Sequence, residues 1–163
     1  MKRYILLTAV VLLFSLVFLS CSDDNKVDIS GYENEAITVV GLSDKELSIS
    51  VKELTELECV SKTTTSTSNK IGKVTATGPT LETLCNKYDK KQTDFNKITV
   101  IAKDGYEIEL TKKVLKDNET IILAFGIDNE PLSEKHAPIR IIIPKSNSAF
   151  WVSGVSKLIF SKE

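Results

Sequence analysis

Residues 97–110, "KITVIAKDGYEIEL", place the strongest constraint on what this chain can fold into. Ile98, Val100 and Ala102 alternate with other residues before Asp104-Gly105, and Tyr106, Ile108 and Leu110 alternate after it. A period of two sends successive side chains to opposite faces of a strand. An Asp-Gly pair matches the twist of two antiparallel strands. The stretch is therefore expected to be a β-hairpin with a two-residue turn at Asp104-Gly105.

The same reading extends along the chain. "AITVVGLSDKELSIS" is expected as two short strands around a polar turn, with Ile37 and Val39, then Leu47 and Ile49, marking the alternation. "VKELTEL" places Val51, Leu54 and Leu57 at helical spacing. "GPTLETLCNKYD" is the best helix: Leu81, Leu84, Cys85 and Tyr88 share one face, Pro79 suits the first turn, and Thr77 or Gly78 would cap it. "TKKVLKDN" reads as a short helix or turn. "ETIILAFGI" and "IRIIIP" are dense enough in β-branched residues for central strands. "AFWVSGVSKLIF" closes the chain as a strand, with Gly154 at a bulge or bend. The Ser/Thr stretch "SKTTTSTSNK" has β propensity but little to bury, so it is an exposed strand or loop. Strands outnumber helices and there is no internal repeat. The expected class is α+β, with β-rich mixed sheets and a few short helices.

The chain has 163 residues, and its first segment stands apart. Lys2 and Arg3 precede the apolar run "YILLTAVVLLFSLVFL", which ends at "SCSDD". A charged start, about 15 apolar residues and a small residue before the break read as an export signal. "FLSC" resembles the signal of bacterial lipoproteins, in which the cysteine is acylated and becomes the mature N-terminus. Residues 1–20 are then the signal peptide, and Cys21 is the lipidated residue that anchors the chain to a membrane outside the cytoplasm. "CSDD" also resembles export-to-surface tags of some lipoproteins. Residues 21–34 are polar and acidic and are expected to be a flexible tether. Residues 35–163 form a single domain. Without Lys2 and Arg3, 19 basic residues face 22 acidic ones. No basic face is indicated, and nucleic acid is not expected as a partner.

Little catalytic machinery is visible. There is one histidine, His136, in the polar stretch "SEKHAPIR", where a surface position is expected. No C-x-x-C, H-x-x-H or Gly-rich phosphate loop occurs. With Cys21 acylated, Cys59 and Cys85 remain, 26 positions apart. A bridge between them would contribute about 3–4 kcal/mol by loop closure. Cys85 lies on the inward stripe of its helix, where a free cysteine packs well. Cys59 could be a metal-binding thiolate, half of that bridge, or a packed apolar residue.

Four segments carry a resemblance to a known family: "DGY" at Asp104–Tyr106, "LAFGIDNEPL" at Leu123–Leu132, "HAPIRIIIP" at His136–Pro144, and "WVSGVSKLI" at Trp151–Ile159. Upstream, "ATGPTLETL" and "VVG" followed by "ISVKELTEL" fit the same order. The sequence from about 36 to 160 resembles the molybdopterin-binding oxidoreductase domain of the sulfite-oxidase type. In the enzymes of that family a cysteine between the opening helix and the next binds molybdenum, and Cys59 lies in that interval. The resemblance thus implies Cys59 as metal ligand, with Lys62, Lys70, Lys73 and Arg140 as groups that could hold a molybdopterin-molybdenum cofactor. The chain departs from the family where those enzymes carry arginines: it has "VSKTTTSTSNK" after the cysteine and "SNSAFWV" near the end. The expectation drawn from both is a membrane-anchored module that binds a small ligand or a protein partner without a cofactor. The alternative is a molybdenum-dependent oxidoreductase.

Overall fold

Alternating apolar positions become paired strands throughout the computed structural model, which describes residues 27–68 and 72–162. In chain order, β1 (Ala36–Val40) and β2 (Leu47–Ser50) lead into α1 (Val51–Thr55). β3 (Cys59–Thr65) and β4 (Lys73–Pro79) precede α2 (Leu81–Asn86). β5 (Lys97–Ala102) and β6 (Glu107–Thr111) precede α3 (Lys112–Asp117). Four short strands follow: β7 (Ile122–Ala124), β8 (Gly126–Ile127), β9 (Glu130–Pro131) and β10 (Arg140–Ile142). The last element is β11 (Val155–Ser161).

These strands form a five-stranded sheet in the order β2-β1-β11-β5-β6 and a four-stranded sheet in the order β3-β4-β8-β9. A separate ladder pairs β7 with β10. Only β1 and β11 run parallel among the described pairs. The α+β class expected from the pattern is the class observed. Among the described residues, no helix is long and apolar enough to cross a membrane.

The hairpin forms with Lys97 opposite Thr111 and Ile101 opposite Glu107. Its turn is longer than expected. Ala102 N–H donates to the Tyr106 carbonyl at 2.9 Å, and Gly105 N–H to the Ala102 carbonyl at 3.1 Å. Lys103, Asp104 and Gly105 therefore make a three-residue loop. Gly105 takes the left-handed position (φ 84°) that ends such loops.

The cap of α2 is Thr80 rather than Thr77 or Gly78, its hydroxyl accepting from Thr83 N–H at 3.0 Å. Pro79 stays in β4, opposite Cys59. Backbone proximity is the reason that β4 runs so far. Gly78 passes so close to β7 that a Cβ there would lie 2.2 Å from the Leu123 carbonyl oxygen. The apolar cores of the runs read as central strands, residues 121–125 and 141–143, are buried. β7 and β10 pair with each other, while the end of the first run, β8, joins the sheet beside β4. Gly154 (φ 60°) precedes β11, and the irregularity falls between Val155 and Lys157.

The segment read as a flexible tether differs most. From Val27 onward it packs on the domain as a strap. Val27 covers the face of Gly126, and Tyr32 is buried with its hydroxyl donating to the Phe125 carbonyl. The same hydroxyl accepts from Leu132 N–H at 3.0 Å. Three apolar side chains, Val27, Ile29 and Tyr32, and two hydrogen bonds outweigh the polar composition that suggested a tether. The expected signal peptide, Cys21 and Lys70 lie outside the described residues.

Candidate functional site

Cys59 opens β3 just after α1. That helix is fixed by a capping box: Ser50 Oγ accepts from Glu53 N–H at 3.2 Å, and the Glu53 carboxylate accepts from Ser50 N–H at 2.8 Å. The Ser50 donors hold the Glu53 carboxyl below the usual carboxylate range, and such a cap contributes about 1 kcal/mol. The helix ends with its carbonyls facing the cysteine. The Cys59 thiol lies 3.3 Å from the Leu57 carbonyl oxygen and 3.9 Å from that of Leu54. Both of these neighbours are acceptors, to which a protonated thiol donates.

Cys59 is half-buried, Cys85 is fully buried, and neither is in a disulfide. Burial, then the nearby Glu82 and Asp94 charges, push the Cys85 thiol up to about 12. Cys85 is a packing residue of α2. Among the described residues, no group of three or more His, Cys, Asp or Glu side chains is placed to hold a metal ion.

The lysines gather elsewhere. Lys62 on β3 and Lys73 on β4 line a groove of about 530 Å³, together with Lys116 at the end of α3 and Lys145 after β10. Thr63, Thr64 and Thr65 line one wall, and residues 117–120 the other. Lys62 Nζ donates to Thr120 Oγ1 at 3.3 Å, tying the two walls together. At the β3 end, Lys145 N–H donates to the Thr65 carbonyl at 3.3 Å, and Thr67 N–H to the Ser146 carbonyl at 2.8 Å. A second cavity of about 450 Å³ shares Lys116, Glu119 and Thr120 with the groove and reaches Gln92.

Neither space is lined by Cys59 or by Arg140. Arg140 stands on β10 with its guanidinium 6.0 Å from the centre of the Trp151 ring. Its Nε is buried without a hydrogen-bond partner, and burial lowers its pKa. Trp151 is held in turn by its Nε1, which donates to the Ile143 carbonyl at 2.8 Å. His136 is partly buried rather than simply exposed, with Ser133 Oγ 3.3 Å from its Nδ1. Burial, then the Arg140 and Lys135 charges, lower its pKa.

Of the residues implied by resemblance, the structure thus brings Lys62 and Lys73 to one groove and leaves Cys59 and Arg140 outside it. The metal end does not fit this groove: Cys59 is not among the residues that line it, and its thiol lies against the backbone carbonyls of Leu54 and Leu57. Sequence reading missed Lys116, Lys145 and Gln92, which join the site from three separate elements. It also missed the strap, where Val27, Ile29 and Tyr32 are the apolar positions in a mostly polar stretch.

Comparison with known proteins gives a consistent fold. The family model of the oxidoreductase molybdopterin binding domain matches residues 24–163. The sulfane dehydrogenase SoxCD from Paracoccus pantotrophus superposes with a TM-score of 0.65 at 16% identity, over 80% of this chain. The chain spans 39% of the length of that protein's chain, and the likeness is one of fold. No curated protein matches the chain.

Proposed function

The chain belongs to the oxidoreductase molybdopterin binding domain family, and on that premise we propose that it is a membrane-anchored, extracytoplasmic binding module that works without the cofactor. The observation that carries this reading is the separation of the groove's lysines from Cys59. A cofactor of this size is held by several placed polar groups around one pocket. Here the cationic groups and the thiol face different surroundings. The groove is available for another ligand, and acylation of Cys21 would keep the domain at the membrane surface. A fold retained while its site changes is a common origin of binding proteins.

One observation favours a second reading, a molybdenum-dependent oxidoreductase with Cys59 as ligand. The buried Nε of Arg140 has no partner, and an anionic group of a cofactor would satisfy it.

The test is molybdenum content per chain, with release of the oxidised pterin as a second readout, on full chain purified in non-ionic detergent from a host that makes the cofactor. The binding-module reading expects neither metal nor pterin on folded protein. Close to one equivalent of molybdenum, abolished by Cys59→Ser, would establish the second reading instead. Labelling with a radioactive fatty acid, lost on Cys21→Ala, tests the anchor separately.

A further inference from the structure

We infer that the lysine groove is a binding site for a compact, non-aromatic oxyanion carrying two or more negative charges, such as a small polycarboxylate or a phosphate ester. This deepens the binding-module reading and rests on it. Four ammonium groups, those of Lys62, Lys73, Lys116 and Lys145, line one space with two carboxylates, Asp117 and Glu119. Asp117 is already engaged, in an ion pair with Lys113 one turn away on α3. The ion pairs of the described residues involve Lys97, Lys103, Lys113 and Lys157, and none of the four groove lysines. Four lysines with one uncommitted carboxylate form a positive focus on a chain whose formal net charge is −1. Such a focus inside a concavity raises the local concentration of anions.

The lining also says what kind of anion fits. Apart from Pro144 it consists of lysine, threonine, asparagine, aspartate and glutamate, and it contains no aromatic side chain. Without a stacking platform, the groove is unsuited to a nucleobase, a pterin ring or the apolar face of a sugar. Threonine hydroxyls beside lysines suit an ion with many oxygen acceptors, because each can donate to it. A space of about 530 Å³ lies within the range of small-molecule sites.

The groove is built before any ligand arrives. Lys62 is tied to Thr120 across it. Gln92, only 2% exposed, holds the far wall through its Nε2, which donates to the carbonyls of Leu115 and Asn118. Gln92 is in this sense a positioning residue: it sets the wall that carries Lys116 and Thr120.

Titration calorimetry of the full chain in non-ionic detergent, with citrate and pyrophosphate as probes and acetate as the monovalent control, tests the site. We expect saturable one-to-one binding of at least one polyanion. Lys62→Gln combined with Lys145→Gln should weaken it at least about ten-fold. Lys97→Gln, on the other sheet and paired with Glu109, should leave it unchanged. Amide shifts in a ¹⁵N spectrum should fall on residues 62–65, 116–120 and 145, which locates the site without any variant. Absence of binding by both polyanions to folded protein would overturn the proposal, as would undiminished binding in the double variant or shifts elsewhere. Molybdenum content on the same preparation separates the two ideas. One equivalent of metal together with intact polyanion binding would refute the cofactor-free reading and leave the groove standing.

Discussion

The side-chain amide of Gln92 donates to the Leu115 carbonyl at 2.6 Å, joining the turn after α2 to the end of α3. A second bond from the same nitrogen reaches the Asn118 carbonyl at 2.9 Å. Replacing Gln92 by Leu keeps most of the volume and strands both acceptors. The expected loss is about 1–3 kcal/mol, seen as a lower urea midpoint with an unchanged slope. Polyanion affinity should fall as well, because the wall bearing Lys116 and Thr120 loses its support. Unchanged stability would mean that water replaces the amide.

Tyr32 clasps the strap. Its hydroxyl donates to the Phe125 carbonyl and accepts from Leu132 N–H. Tyr32→Phe should cost about 1–3 kcal/mol and make the first described residues cleavable by protease while the sheets remain intact. Burial raises the Tyr32 pKa, which fixes the sign of a pH effect. The folded state holds the proton more tightly than the unfolded chain does. This contribution is complete below the ordinary tyrosine value near 10 and is lost as pH rises through the folded value. Denaturation followed between pH 8 and 11 should therefore show a steeper loss in the wild type than in Tyr32→Phe.

Two glycines allow close approaches of different kinds. At Gly78 an added Cβ would lie 2.2 Å from the Leu123 carbonyl oxygen, part of the backbone of β7. At Gly126 it would lie 2.4 Å from Cγ2 of Val27, a side chain at the start of the strap. Gly78→Ala must push two strands apart and is expected to cost about 3 kcal/mol. Gly126→Ala needs only Val27 to move and should cost about 1 kcal/mol. Thermal melts of the two variants check the ranking, and the reverse order would show that the strap is more important than the β4–β7 contact.

Cys85 should resist alkylation. It is fully buried, and its thiol is pushed up to about 12 by burial first and the Glu82 and Asp94 charges second. Iodoacetamide at pH 8 should leave the peptide containing Cys85 unmodified in native protein and label it fully in urea, as read by mass spectrometry. Rapid native labelling would mean that α2 opens locally. The raised value also means that alkali destabilises: the Cys85 contribution is intact below the unfolded thiol's range and is lost as pH rises towards 12.

The elements were largely legible because alternation and helical stripes record burial directly. Ile98, Val100, Leu81 and Leu84 are all buried where the pattern put them. The hairpin loop was misjudged by one residue because Asp-Gly serves both a two-residue turn and the end of a three-residue loop, and only the ladder register decides between them. The strap was illegible for a different reason: three apolar residues among thirteen, Val27, Ile29 and Tyr32, are too few to set a period. The groove was half legible. Lys62 and Lys73 were singled out through resemblance, whereas Lys116 and Lys145 come from a helix end and a loop more than 40 positions away along the chain. No local pattern records that convergence, because exposed lysines have no period to reveal which of them share a space.

With Cys21 acylated as proposed, the burial of Val27 would constrain how the domain sits at a membrane. Six peptide steps separate it from Cys21, and even fully stretched they reach no more than about 20 Å. That leash is shorter than the roughly 30 Å width of a small domain. A domain moored through an acylated Cys21 would lack the slack to turn over. Its Gly126 side would stay turned towards the bilayer.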